Sequence, residues 1–383
     1  MSAQASGAST SSKLTIRHVV TLVSDDGAYG GPVSVATGQL AELAGRGHDT
    51  ALIALWRGPG PVPGEVDGVP LKAVRARTLV PGQGFLGLLN PRLLTVLWRE
   101  AGRADVLHLH VGRDLVSLAG LTAAALRGTP CLVQTHGMVA PRGGLVARAF
   151  DAVFRPLLRR ARGCLVLTEQ EQDELAVVLG PGHPPLLRLP NGVRARPRGG
   201  PADPALVLYL ARLHPRKRPE AFVAAAALLS ERLPDPRFVL HGSDEGSLGA
   251  VEQAIARDGL GSRVSYAGPL SHQDALDRLA GAAVYVLPSV DEPFPMSLLE
   301  ALAAGTPAVA TSSCGIAAHL ERTGAALITD GSPEALAGAV ERLLTDEALR
   351  GRTVAAGYAA VEDAYSLKAV ADQLTGHYRQ ALR

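Results

Sequence analysis

Apolar and polar positions along the chain alternate between short β-rich runs and longer stretches with helical spacing. A helical pattern covers Val33–Gly45. The β-rich runs of the first half have the length of buried strands in a parallel sheet, and they lie at His18–Val23, Thr50–Leu55, Val106–Leu109, Cys131–Gln134 and Cys164–Thr168. Strands that alternate with helices predict an α/β fold, a parallel sheet wrapped by helices.

The same series begins afresh in the second half of the chain. Residues Pro190–Pro204 are dense in proline, glycine and arginine, which predicts a linker. Beyond it, four further strands are predicted at Leu206–Leu210, Phe238–His241, Val264–Tyr266 and Val284–Leu287. The pattern therefore predicts two Rossmann-like domains, residues 14–192 and 205–365, followed by a last helix within Leu367–Leu382.

Composition agrees with a large two-domain protein and argues against nucleic-acid-binding, secreted and membrane-spanning proteins. The chain has 383 residues, 47% of them hydrophobic, which is enough for two cores. A net charge of +2 gives no reason to expect nucleic acid as a partner. The three isolated cysteines are typical of reduced core thiols, so we expect a cytoplasmic protein. We expect a disordered tail at residues 1–13, which lack the apolar run of a signal peptide, and no membrane span.

The densest candidate chemistry lies around one predicted helix, between Asp291 and Gly305. Pro295 suits the first helical position, and Gly305 suits the stop. Glu292 lies just before this helix and Glu300 lies inside it among leucines and alanines, where an unpaired carboxylate is costly to bury. Phosphate groups suit the helix N-terminus, and sugar hydroxyls suit the two acids. A solvated helix face with an unrelated loop acid is the alternative.

Residues that directly follow predicted strands are further candidates, because α/β sheets bind ligands at the carboxyl ends of their strands. Arg212 and Lys217 follow one strand, and basic groups there can neutralise a diphosphate, although a solvated helix start explains them as well. His136 follows another strand and has the plain alternative of a hydrogen bond to a nearby carbonyl. Gly30 and Gly31 open a helix in a loop that lacks the dinucleotide fingerprint.

Two other histidines, His108 and His110, alternate on one face of a predicted strand. We expect no metal site there, because no third ligand lies at a recognisable spacing.

The spacing of Glu292 and Glu300 resembles the E-x7-E motif of the retaining glycosyltransferases of family 4, the group 1 glycosyltransferases with the GT-B fold. The resemblance extends over nearly the whole chain. It implies two Rossmann-like domains facing across a cleft, with the last helix, residues 366–383, crossing back to the first domain. It also implies that Glu292 contacts the transferred sugar and that Glu300 holds the nucleotide ribose.

The resemblance implies roles for the other candidates as well. Arg212 and Lys217 would bind the diphosphate, and His136 would contact the sugar. Gly30 and Gly31 would border the donor, and Gly242 would lie near the base. This chain has Pro295 where the family often has glycine, so phosphate would use the amides of Met296 and Ser297.

The resemblance implies an enzyme that moves a sugar from a nucleotide diphosphate sugar to an acceptor hydroxyl with retention, without metal or other cofactor. The alternatives are a non-catalytic sugar-nucleotide-binding subunit and an epimerase or phosphorylase with the same fold. Residues 145–162 form a basic amphipathic segment typical of contact with anionic membrane or of an ordinary core helix. We therefore expect a glycan, lipid-linked or small-molecule acceptor, and a cytoplasmic protein that contacts the inner membrane face peripherally.

Overall fold

The computed structural model describes residues 13–25, 30–82, 84–195 and 203–383. The predicted tail, apart from Lys13, lies outside the described residues, and so do the loop before Gly30 and residues 196–202 of the predicted linker. As far as it is described, the chain divides into two compact units. The first unit is Met1–Val166, Asp173–Arg188 and Ala371–Arg383, and the second is Leu167–Gln172 and Leu189–Val370.

The division differs from the predicted boundaries at residues 192 and 205. Backbone pairing explains the difference: the Val193 amide donates to the Tyr365 carbonyl (2.8 Å), and the Val193 carbonyl accepts from the Leu367 amide (3.0 Å). The start of the predicted linker is therefore part of the second unit, and the second sheet begins at Asp203 rather than after residue 204.

In the described part of the first unit, eight strands form one sheet in the order β3-β4-β2-β1-β5-β6-β7-β8, parallel except for the β3–β4 pair. The strands are β1 Thr15–Ser24, β2 Asp49–Arg57, β3 Glu65–Val66, β4 Val69–Arg75, β5 Val106–His110, β6 Cys131–Gln134, β7 Gly163–Val166 and β8 Leu186–Arg188. The helices are α1 Gly30–Gly45, α2 Pro91–Ala101, α3 Leu115–Arg127, α4 Leu145–Leu158 and α5 Glu169–Leu179, with a 3-10 turn at Gly84–Gly87. Strands β5, β6 and β7 are buried along their whole length, as helices on both faces of a parallel sheet require.

In the described part of the second unit, six strands form a parallel sheet in the order β11-β10-β9-β12-β13-β14. They are β9 Asp203–Leu210, β10 Arg237–His241, β11 Val264–Tyr266, β12 Ala282–Leu287, β13 Ala308–Thr311 and β14 Leu327–Thr329. The helices are α6 Pro219–Ser230, α7 Leu248–Arg257, α8 His272–Ala280, α9 Met296–Ala304, α10 Ala317–Thr323, α11 Pro333–Thr345 and α12 Glu347–Ala360, with a π turn at Val361–Tyr365. Separate apolar clusters fill the two faces of this sheet.

The last helix, α13 Leu367–Ala381, begins in the second unit and enters the first at Ala371. Its Tyr378 is fully buried, and its Asp372 accepts a hydrogen bond from Arg46 of α1 (2.6 Å). The predicted strands and helices are confirmed as elements. The three cysteines are free and buried, as expected of core thiols. Among the described helices, none combines the length and the hydropathy needed to cross a membrane.

Candidate functional site

The second sheet reverses its direction of growth at its centre. Strand β9 comes first in the chain, β10 and β11 extend the sheet to one side, and β12 to β14 extend it to the other. Parallel sheets bind ligands outside the carboxyl ends of the strands at such a reversal. Arg212 and Lys217 follow β9, and Glu292 and helix α9 follow β12, so the sequence candidates of this unit lie at that edge.

An ion pair joins the two loops at this edge. The Lys217 Nζ donates to the Glu292 Oε2, and the two side chains are only 19% and 15% exposed. Beside it, the Val290 amide donates to the Arg216 carbonyl (2.8 Å). Because each charge would be costly to leave unpaired in a half-buried place, Lys217 and Glu292 hold each other in position.

Helix α9 begins one residue later than predicted. Pro295 has an extended backbone (ψ 100°) and lies just outside the helix as its N-cap, with Met296 as the first helical residue. The reason is that the Pro295 carbonyl already accepts the amide of Leu299 (3.3 Å) as a cap residue does. Within the described part of the chain, the backbone amides of Met296 and Ser297 donate to no backbone carbonyl, so they are donors suited to an anion.

A buried tyrosine fixes the start of this helix to the end of β9. The Tyr285 hydroxyl lies 2.7 Å from the Ser297 Oγ and donates to the Leu210 carbonyl (3.3 Å). Burial, and more weakly the charges of Glu300 and Glu292, raise the pKa of Tyr285, so it stays a neutral hydroxyl. Glu300 is half-buried one turn inside the helix. Nothing in the sequence marks Tyr285 as a positioning residue, because it lies in a buried strand among other apolar residues.

The other end of the site is more open. Arg212 is 62% exposed and pairs with Glu245 (2.7 Å), a partner that the sequence analysis did not find. Gly242 has a φ of +151°, and a Cβ there would lie 1.9 Å from the Ala211 carbonyl oxygen. The close approach of the β9 and β10 ends therefore requires glycine. A contact between Gly242 and a base stays a prediction.

In the first unit, His136 lies two residues beyond the end of β6 and adopts a left-handed backbone (φ +50°), which is uncommon for a residue other than glycine. It is half-buried, and its Nε2 lies 2.7 Å from the Nδ1 of His110. Strained backbone at a strand end often marks a functional residue. Gly30 and Gly31 form the first turn of α1.

The spacing along the sequence shows no third ligand for His108 and His110, but the fold brings a third histidine beside them. The pairing of β1 with β5 puts His18 directly beside His108, and ring nitrogens of His18, His108 and His110 all lie within 4.8 Å of one another. Aligning the two predicted strands in register would have shown this. Both ring nitrogens of His18 and of His110 already take part in hydrogen bonds.

Helix α4, within the predicted basic amphipathic segment, exposes several apolar side chains. Leu145, Val146 and Val153 are 82%, 73% and 55% exposed. Phe154 and Leu158 on the opposite face are buried, and Pro156 lies inside the helix. Arg148 of the same helix is exposed as well, whereas Arg155 and Arg159 donate to the Leu179 carbonyl.

Comparison with known proteins gives matches over both halves of the chain. The family model described as "Glycosyl transferase 4-like domain" matches residues 30–192, and that described as "Glycosyl transferases group 1" matches residues 195–360. An alpha-D-kanosaminyltransferase of Streptomyces kanamyceticus is 28% identical over 377 residues, covering 88% of this chain and 97% of the relative. A D-inositol 3-phosphate glycosyltransferase of Acidothermus cellulolyticus is 29% identical over 312 residues, covering 74% and 69%.

Solved structures give the same picture at the level of the fold. The crystal structure of Anabaena HepE in complex with UDP has a TM-score of 0.72 at 16% identity, covering 95% of this chain and 99% of that one. Sucrose-phosphate synthase of Thermosynechococcus elongatus has a TM-score of 0.68 at 20% identity, covering 96% and 99%.

Proposed function

Because the chain belongs to the group 1 glycosyltransferases of the family 4 type, with the GT-B fold, we propose that it transfers its sugar from a nucleotide diphosphate sugar to an acceptor hydroxyl with retention of the anomeric configuration. One observation carries this proposal. A cation, two carboxylates and a helix N-terminus meet at the carboxyl edge where the second sheet reverses. The cation and the helix N-terminus suit the negative charges of the diphosphate, and the two carboxylates suit the sugar hydroxyls of such a donor.

The leaving diphosphate is stabilised by Lys217, by Arg212 and by the amides of Met296 and Ser297. Charge grows on the leaving phosphate oxygen as the bond to the sugar breaks, and fixed donors aimed at that oxygen lower the barrier. The ion pair with Glu292 holds Lys217 in place before the donor arrives. The preorganised ammonium therefore needs no rearrangement in the transition state.

The two carboxylates bind hydroxyls on either side of the diphosphate. Glu292, in the loop after β12, accepts from the transferred sugar, and Glu300, inside α9, accepts from the ribose. No protein group attacks the sugar: the leaving phosphate oxygen takes the proton of the acceptor hydroxyl on the same face. In the first unit, Gly30, Gly31 and His136 are proposed to contact the donor and its sugar, and in the second, Gly242 is proposed to border the base.

The proposed reaction uses no metal ion. Lys217, Arg212 and the helix amides supply the positive charge that a divalent cation supplies elsewhere. The sequence also lacks an Asp-x-Asp signature.

The acceptor is proposed to be lipid-linked or part of a glycan, reached by peripheral contact of α4 with anionic membrane at the cytoplasmic face. The exposed Leu145, Val146 and Val153, on a helix that also exposes Arg148, support this contact. Sedimentation with anionic vesicles tests it, with Val146→Ser and Val153→Ser as variants. A small-molecule acceptor is favoured instead if wild-type protein stays in the supernatant.

Turnover of the Lys217→Ala variant tests the role of the site. We expect release of nucleoside diphosphate to fall about 100-fold or more, because one preorganised charge is worth that much in a transition state. Arg212→Ala should lose less, since Arg212 is mostly exposed. Lys368→Ala, which removes an exposed lysine from α13, is the matched control and should keep wild-type turnover. Near-normal rates for Lys217→Ala would contradict the proposed role.

A further inference from the structure

Five buried or half-buried side chains of the first unit form one unbranched chain of hydrogen bonds. Its ends are His136, at the carboxyl end of β6, and His108, in β5. The links are His136 Nε2 to His110 Nδ1 (2.7 Å), His110 Nε2 to His18 Nδ1 (3.0 Å), His18 Nε2 to Tyr378 OH (2.7 Å) and Tyr378 OH to His108 Nδ1 (2.8 Å). We call these five residues the histidine chain.

The ring geometry supports real hydrogen bonds along the histidine chain. The His110 and His136 rings lie within 10° of parallel with centroids 5.0 Å apart, which fits two nearly coplanar rings that meet nitrogen to nitrogen. The tilt between His18 and His110 is larger, 44°, and still leaves a 3.0 Å contact.

All five groups are neutral in the folded protein. Burial lowers the pKa of His18, His108 and His110 well below the ordinary value, and it lowers the pKa of His136 to about 4. Burial raises the pKa of Tyr378. Each ring therefore carries one N–H, and the tyrosine carries one O–H.

With one proton on each group, three arrangements make all four hydrogen bonds, because the Tyr378 oxygen can accept as well as donate. In the first, every donor points from His136 toward His108, which leaves an N–H on the His108 Nε2. In the second, every donor points the other way, which leaves a bare lone pair on the His108 Nε2 and puts the His136 proton on Nδ1. In the third, the Tyr378 oxygen accepts from both the His18 Nε2 and the His108 Nδ1, which puts the His136 proton on Nε2 and leaves the Tyr378 O–H without an acceptor in the histidine chain.

The donors left over decide between them. In the first arrangement the leftover N–H is on the buried His108 Nε2, which makes no hydrogen bond of normal geometry within the described part of the chain; the Gln134 side chain near His108 affects its pKa less than burial does. A buried N–H without an acceptor is rarer in folded proteins than a buried acceptor without a donor. The first and third arrangements each leave a buried donor without an acceptor, on His108 and on Tyr378 respectively, so the second arrangement is favoured.

From this geometry we propose that His18, His108, His110 and Tyr378 are positioning residues that hold His136 as a neutral imidazole with its proton on Nδ1. That N–H is a hydrogen-bond donor for a hydroxyl oxygen of the transferred sugar, and the ring is not a general base. This inference rests on the proposed function, which puts His136 at the sugar.

A metal ion held by the same histidines fits the contacts less well. Ligand nitrogens around a tetrahedral zinc lie about 3.3 Å apart, given Zn–N bonds of about 2.0 Å. The contacts in the histidine chain are 2.7–3.0 Å, the lengths of hydrogen bonds.

Nitrogen-15 NMR of the full-length protein with labelled histidine tests the proposal, since it reports which nitrogen carries each proton. We expect His136 protonated on Nδ1 alone, with or without UDP, and the same spectrum after treatment with EDTA. A proton on His136 Nε2, a charged ring, or a spectrum that changes with EDTA would overturn the proposal. The NMR measurement does not depend on turnover, so failure of the proposed tautomer can be distinguished from failure of the proposed function.

The Tyr378→Phe variant removes the hydroxyl that orders the chain. We expect a mixture of His136 tautomers and a turnover about tenfold lower, the factor for one ordinary hydrogen bond, with unchanged affinity for UDP. Tyr358→Phe, which removes a hydroxyl outside the histidine chain, should change neither. If Tyr378→Phe does not fold, His110→Phe separates His136 from the rest of the chain in the same way. A single unchanged His136 tautomer in a folded variant would refute control by the chain.

Discussion

Lys217 and Glu292 lie 75 positions apart in the sequence, and their ion pair holds both side chains in position. The sequence identifies both residues, because the acidic spacing and the basic residues after a strand are local patterns. It does not reveal their pairing, which depends on the neighbouring ends of β9 and β12. Glu245 and Tyr378 were missed for the same reason, since their partners are distant in the chain.

Glu300 gives the sharpest prediction for a single residue. Glu300→Ala should weaken binding of the nucleotide donor about tenfold or more, because a hydrogen bond to a charged group is lost, and Glu300→Gln should lose part of that. Isothermal calorimetry measures the change. Glu347→Gln, at an exposed acid of α12, is the control. Equal affinities in wild type and both Glu300 variants would remove the ribose role.

At the scale of elements, the β9–β10 edge depends on Gly242. Gly242→Ala puts a methyl group into the Ala211 carbonyl and should destabilise folding by about 2–3 kcal/mol, with weaker donor binding as the edge shifts. Gly249→Ala is the matched control, because a Cβ there meets nothing within 4 Å and helices favour alanine. Urea denaturation compares the two. Equal stability would mean that the edge tolerates a side chain.

Strands β1 and β4 are joined to helix α2 through one buried acid. Glu100 accepts from Arg17 (2.8 Å) and Lys72 (2.8 Å). Burial alone would raise the pKa of Glu100, but these hydrogen bonds outweigh it and hold the pKa below its ordinary value of 4.5. The ionised Glu100 carboxylate therefore stabilises the fold above pH 4.5, and this stabilisation is lost as the pH falls through the lowered pKa of Glu100.

Denaturation at several pH values checks the direction of this pH dependence. Wild-type protein should lose stability below pH 4.5. Glu100→Gln should be about 1–3 kcal/mol less stable at pH 7, because Arg17 and Lys72 lose a carboxylate partner while Arg17 keeps Asp49 (2.9 Å), and should depend less on pH in the acid range. If the free energy of unfolding falls with pH to the same extent in both proteins, Glu100 is not the group responsible.

Strands β3, β4, β8, β13 and β14 were not predicted. β3, β8 and β14 have only two or three residues, and β4 contains Lys72 and Arg75, so hydropathy alone gives little signal. β13 is a four-residue run of alanine, valine and threonine, which periodicity cannot tell from a piece of a buried helix. The helix start at Pro295 was misplaced by one residue, since a proline suits either side of that boundary.

At the scale of the whole molecule, two repeated α/β series predicted two Rossmann-like units. The path of the chain between the units was harder to predict. Leu167–Gln172 belongs to the second unit although the residues on both sides belong to the first. No local pattern marks that exchange, because it depends on packing between distant segments such as Leu167 and the core of the second unit.

The absence of a metal from the proposed reaction can be tested on the intact enzyme. Dialysis against EDTA should leave turnover unchanged, because Lys217, Arg212 and the α9 amides supply the charge that the leaving group needs. The control is the same dialysis followed by addition of magnesium or manganese, which should give no gain. Loss of turnover on chelation, restored by either ion, would contradict the proposal.

The most direct test of sugar transfer from a nucleotide donor is NMR of the reaction itself. The protein is mixed with UDP-, GDP-, ADP- or TDP-glucose and a cell extract as the acceptor source, and the anomeric signals are followed in time. We predict that one donor is consumed, that nucleoside diphosphate appears, and that the new glycosidic bond keeps the anomeric configuration of the donor. An inverted product, an epimerised donor, or binding without consumption of any donor would contradict the account.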